Sequence, residues 1–173
     1  MQEFLQPTKI VTNWIETLAI EEINMEESGV VQFNDHLNPD RIIEESGLKL
    51  MDKLKALFDV YVTKFNEYRG QNQSIKTFKI SNTINDFMLF RNSLKLIVAR
   101  KSADLISIGF LSNAGGLFSA RLNDNLPASN TPHEIRAALG PFNEVSWHFN
   151  GEKVNLDALV RHYLTEFIKH SAR

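Results

Sequence analysis

The sequence predicts an α+β fold, an antiparallel sheet packed on one face by a long helix and a C-terminal helix. Three observations carry this reading. Residues 38–70 hold the longest helical pattern in the chain, residues 75–122 break into short strand-like runs, and residues 156–168 return to a helical stripe. The links between the strand-like runs are only a few residues long, whereas a parallel crossover needs about a dozen. They therefore imply a five-stranded antiparallel meander, joined later by a C-terminal hairpin.

The first element expected is a helix over residues 8–26, with Thr8 as its cap and Ile10, Val11, Trp14, Ile15, Leu18 and Ile23 on its apolar side. Trp14 reads as a core anchor, because a large aromatic contributes most when buried. Residues 29–37 are polar apart from Val30, Val31 and Phe33 and suit a short strand.

The long helix begins with strong signals. Asn38 is a good N-cap, Pro39 suits the first helical position where no N–H is needed, and Asp40 complements the positive end of the dipole. Ile43, Gly47, Leu50, Leu54, Phe58, Tyr61, Phe65 and Tyr68 recur at helical spacing, and Gly70 tolerates a left-handed C-terminal conformation. A continuous helix here would be roughly 45 Å long. Ser46-Gly47 is its weak point, since Gly costs about 1 kcal/mol relative to Ala inside a helix. One helix, a kinked helix, and two helices with Ser46 capping the second are the alternatives.

The strand-like runs follow at 75–81, 84–91, 94–101, 105–111 and 117–122, separated by turn chemistry such as Asn82-Thr83 and Asn92-Ser93. Alternation sends Phe78, Ile80, Ile106, Ile108, Phe110, Phe118, Ala120 and Leu122 toward the core. Residues 87–90 and 94–99 are apolar on both sides, as central strands are. After a polar loop at 123–130, Thr131 and Glu134 form a capping box with Pro132 at the first helical position, which predicts a short helix over 131–139. Residues 144–149 alternate as a strand, Asn150-Gly151 is a hairpin turn, and Asn155 caps the final helix.

With 173 residues, the chain is long enough for one domain with a real core, here 1–173. Within it lie an acidic helical segment (1–37), the long helix (38–70), the meander (75–122), and a closing block of short helix, hairpin and helix (131–173). The absence of Cys excludes disulfides and Cys-ligated metals and fits a cytoplasmic protein. The N-terminus lacks a basic start followed by an apolar run, so no signal peptide is expected. No apolar stretch approaches the roughly 20 residues of a membrane span, so no membrane partner is expected either. The net charge of −2 conceals an asymmetry, with −8 over residues 1–46 and +6 over the remainder.

No catalytic signature emerges. Ser146 and His148 share a strand face with Glu144, but residues two apart on a strand sit roughly 7 Å apart, too far for a direct Ser–His bond. His162, Glu166 and His170 stack at i, i+4 and i+8 and are the metal-ligand candidates, against a competing reading as a solvated helix face. The glycines of residues 112–116 precede a strand rather than a helix, which suits a hairpin turn over a phosphate loop. No cofactor is implied.

The function class these features favour is a non-enzymatic binding or regulatory module acting through protein–protein contacts. The expected partner is another protein or a second copy of the chain, since the long helix and a helix-free sheet face can mediate contacts, and an exposed side of that helix or an open sheet edge would suit a homodimer. Two other readings stay open. One is a small-ligand protein or enzyme with a pocket between the sheet and the long helix, drawing polar groups from Arg121, His133, Arg136 and His148. The other is nucleic-acid association through Lys79, Lys95, Arg100, Lys101 and Arg121, provided these form one patch.

Overall fold

The computed structural model describes residues 10–125 and 127–173. The chain divides into two compact units, Met1–His36 and Leu37–Arg173. The expected cap Thr8 lies outside the described residues.

In the first unit, α1 runs over Asn13–Ser28 and stops at Gly29, whose left-handed backbone (φ 71°) lets its N–H reach Met25 O. None of the residues of α1 is buried, and Trp14 is 66% exposed rather than a core anchor. Among the described residues of this unit, α1 has no second α-helix or strand to bury a stripe against. Residues 29–34 form no strand, and a short 3-10 turn covers Asp35–Leu37.

The second unit opens with α2, a helix of 31 residues over Pro39–Arg69. Asn38 caps it as expected, its side chain accepting from the N–H groups of Asp40 and Arg41. The helix runs through Ser46-Gly47 without a break. Gly47 is there because α2 presses on the sheet. A Cβ at this position would meet Ala103 O at 2.9 Å and the Trp147 ring at 3.5 Å.

The strands are β1 (Lys76–Lys79), β2 (Phe87–Arg91), β3 (Leu94–Ser102), β4 (Leu105–Leu111), β5 (Leu117–Phe118), β6 (His133–Leu139), β7 (Val145–Phe149) and β8 (Glu152–Lys153). They form one antiparallel sheet in the order β1-β2-β3-β4-β6-β7-β8, with β5 pairing the end of β4. The last helix, α3 (Leu156–Ser171), is capped by Asn155, which accepts from Ala158 N–H. The α+β class, the meander, the hairpin and the two covering helices are therefore as the sequence predicts.

The short helix over 131–139 is not. Those residues form β6, a strand between β4 and β7. The capping box is overruled because β4 would otherwise leave the backbone groups of Leu105–Ile108 unpaired, and β6 satisfies them. Ile135, fully buried opposite Ile106, rewards the alternation that the same residues also carry.

Both α2 and α3 lie on one sheet face. Phe87, Leu89, Leu96, Val98, Ile106, Ile108, Phe110, Ile135 and Trp147 project to that face and are buried. Phe58 of α2 meets Phe87 edge-on at 5.8 Å between ring centroids, and Phe167 of α3 stacks on Phe110 at 6.4 Å. Phe78, expected in the core, pairs with Met88 on the other face and is 42% exposed, because buried Ile75 and the pairing of Thr77 with Leu89 turn the odd-numbered residues of this segment to the core side. Leu122 is likewise exposed, lying beyond β5 in the loop. Among the described residues no helix is long and apolar enough to cross a membrane.

Candidate functional site

The sheet face turned away from α2 and α3 has two halves, read from the strand registers. In one half, Phe78, Met88 and Ile97 form a cross-strand row. The adjacent row runs Lys76, Phe90, Lys95, Leu111 and Leu117. Phe90 is thus flanked by two lysines, whose alkyl stems can lie along its ring while the ammonium groups stay in water. The other half is polar, with the row Arg136, His148 and Lys153 and the neighbouring Glu134 and Ser146. Gly109 marks where β4 changes partner from β6 to β5. A Cβ there would meet Pro132 Cβ at 2.9 Å and Phe118 O at 3.2 Å.

The cations nominated for nucleic acid do not share a surface. Lys95 lies on this face, whereas Lys79 and Arg100 pair with Phe87 and Ile106 and point to the opposite one. Arg100 is drawn toward Glu44 of α2 at 3.9 Å. Lys101 sits in the β-bulge between Arg100 and Ser102, and Arg121 lies in the loop between β5 and β6, where its carbonyl accepts from His162. The strand registers separate them because side chains alternate sides, which mere proximity in sequence hides.

Within the polar half, Ser146 Oγ and His148 Nε2 are 2.7 Å apart. The separation expected from strand geometry is corrected here, because both side chains lean along the strand and close the gap. Arg136 reaches Glu134 rather than this pair, at 2.9 Å. Neither of the two clefts described below includes Ser146 or His148 in its lining.

A second constellation lies on the helix side, where β6, the β7–β8 hairpin and α3 meet. Tyr163 is 2% exposed, its oxygen 2.5 Å from His133 Nδ1, and it accepts from Ala120 N–H at 3.4 Å. Burial pushes the Tyr163 phenol well above its ordinary range, so it stays a neutral donor. Burial, and secondarily the neighbouring His162, pushes the His133 imidazole down from its ordinary value. The Tyr163 hydroxyl keeps its proton and lies between two acceptors, Nδ1 of the neutral His133 ring and Ile108 O at 3.3 Å. His162 Nε2 donates to Arg121 O at 2.6 Å, which sets its tautomer.

The metal candidates are otherwise engaged. His170 Nε2 pairs with Glu166 at 2.9 Å while His162 turns to Arg121. Among the described residues no three His, Asp or Glu side chains are grouped as a metal site would need. Two clefts open on the helix side. One, of about 380 Å3, lies between α2 and β7 at Ser46, Lys49, Lys53 and Trp147. It occupies the place expected for a pocket between sheet and long helix, yet contains none of Arg121, His133, Arg136 or His148. The other, of about 370 Å3, holds His133, His162 and Tyr163. Sequence reasoning found His133 but missed Tyr163 as its partner, since 30 residues separate them and nothing local links the two.

Comparison of the chain with protein-family models, with curated proteins and with solved structures found no match.

Proposed function

We propose that this protein is a non-enzymatic binding module that assembles with a second copy of itself through the sheet face turned away from α2 and α3. One observation carries the reading. Phe78, Met88, Phe90, Ile97, Leu111 and Leu117 occupy two adjacent cross-strand rows on that face, and neither α2 nor α3 packs against them. Apolar rows on a sheet are normally covered by a second layer, and two such sheets pack face to face about 10 Å apart. A twofold contact supplies that layer by placing the same rows of two copies together, as isologous dimers do.

The test is light scattering across micromolar concentrations. A dimer mass that falls to the monomer on Phe90→Lys, with unchanged circular dichroism, supports the assembly. A strict monomer at tens of micromolar overturns it.

A further inference from the structure

The cleft between α3 and the β7–β8 hairpin has the features of a small-molecule site. Its volume of about 370 Å3 falls in the range of ligand pockets, roughly 300–1,000 Å3. Leu122, Phe149, Val154 and Leu159 supply apolar walls. Two imidazoles sit among them, the His133 ring 5.7 Å and the His162 ring 6.4 Å from the ring centroid of Tyr163.

Each imidazole commits one nitrogen to the protein. His133 uses Nδ1 on Tyr163 and His162 uses Nε2 on Arg121 O. Neither His133 Nε2 nor His162 Nδ1 hydrogen-bonds to any of the described residues. The hydrogen bonds already made hold both rings in place, so a ligand would meet pre-oriented groups rather than having to order them.

The chemistry of the lining selects the ligand. Apolar walls take a compact hydrocarbon or aromatic body. An anion placed between the two imidazoles can accept a hydrogen bond from each ring. Lys153 at the rim adds a cation, although Glu152 beside it offsets that charge and keeps the site from attracting anions indiscriminately.

We propose that this cleft binds a small amphipathic carboxylate, its apolar body against Leu122, Phe149, Val154 and Leu159, and its carboxylate accepting from His133 Nε2–H and from His162 Nδ1, onto which binding draws a proton from solvent because Nε2 already donates to Arg121 O. The site is separate from the apolar rows of the self-association face, because its residues other than Lys153 lie on the helix side of the sheet, in the β7–β8 hairpin and in α3. An assembly partner and a ligand could therefore be held at the same time.

The experiment is isothermal titration calorimetry of the full chain with octanoate and with benzoate. Saturable one-to-one binding of either is expected. Ala158→Trp places an indole in the cleft from an exposed position of α3 and should abolish binding with no change in circular dichroism or melting temperature. His162→Gln should weaken binding about ten-fold, the loss of one charge-assisted hydrogen bond. Phe90→Lys, on the opposite face, should leave it unchanged. Absence of saturable binding by both probes, or binding that survives Ala158→Trp, overturns the site. Binding lost in Ala158→Trp but untouched by His162→Gln overturns the placement of the carboxylate.

Discussion

The indole N–H of Trp147 donates to Ser46 Oγ at 3.0 Å, joining β7 to α2 across 101 residues of chain. The bond stands one residue from Gly47, where a Cβ would press on the β3–β4 turn and the Trp147 ring. The two residues that weaken α2 as an isolated helix thus help seat it on the sheet.

Gly47→Ala tests that seat. Helix propensity alone would stabilise the variant by about 1 kcal/mol. The added Cβ would meet Ala103 O at 2.9 Å, and a backbone oxygen cannot rotate away. Overpacking of this kind costs about 1–3 kcal/mol, so net destabilisation is expected in urea unfolding. A gain in stability would show that α2 shifts freely on the sheet.

Ser46→Ala leaves the Trp147 indole N–H, on a side chain only 7% exposed, without its partner. An unsatisfied buried donor costs about 1–3 kcal/mol. The same urea measurement reads it, and a red-shifted tryptophan emission would report water reaching the ring.

Arg91 is 4% exposed and ties the end of α3 to the β2–β3 hairpin. Its guanidinium donates to Ile168 O, Ser171 Oγ and Gln73 Oε1 and lies over the Phe65 ring at 5.1 Å. Burial, and then Arg69, lowers its pKa from the ordinary value, so the fold bears a cost for this charge that the hydrogen bonds of its two terminal nitrogens offset, while Nε has no partner among the described residues. Arg91→Ala should cost about 2–4 kcal/mol. Arg91→Lys should recover only part of that, because an ammonium cannot reproduce the planar fork. Full recovery by Lys in thermal melts would contradict the assignment.

Tyr163 and His133 bracket the pH range of stability from opposite sides. The His133 pKa is lowered in the fold, so its contribution is present above the unfolded value of 6.5 and is lost as pH falls from there through the folded value. The Tyr163 pKa is raised, so its contribution is present below the unfolded value of 10.0 and is lost as pH rises toward the folded value. Melting temperatures measured from pH 5 to 11 should decline at both ends. Tyr163→Phe should flatten the alkaline decline and leave the acid one largely in place. An unchanged alkaline limb would assign it to other groups.

Much of the fold was legible locally. Asn38-Pro39 and Asn155 mark helix starts through side chains that satisfy the first free N–H groups, and both caps form. Asn150-Gly151 marks a hairpin because both residues tolerate positive φ, and both adopt it. Residues 131–139 were misread because they satisfy two patterns at once, a capping box and an alternation, and local chemistry has no means of ranking them. The candidate site was legible only in part. His133 stood out by residue type, but Tyr163 read as one more member of an apolar stripe.

Outside residues 29–37 and 131–139, the sequence by itself determined the element types and the turns between them, and with them the α+β class, because these follow from dihedral preference, capping and the period of apolar residues. Only the tertiary structure decided that β6 is a strand, that the nominated cations fall on different faces, and that His133 meets Tyr163. Each of these depends on which backbone edge or surface lies opposite. A strand edge must find hydrogen-bond partners and an apolar face must find cover, and both are supplied by residues far away in the chain.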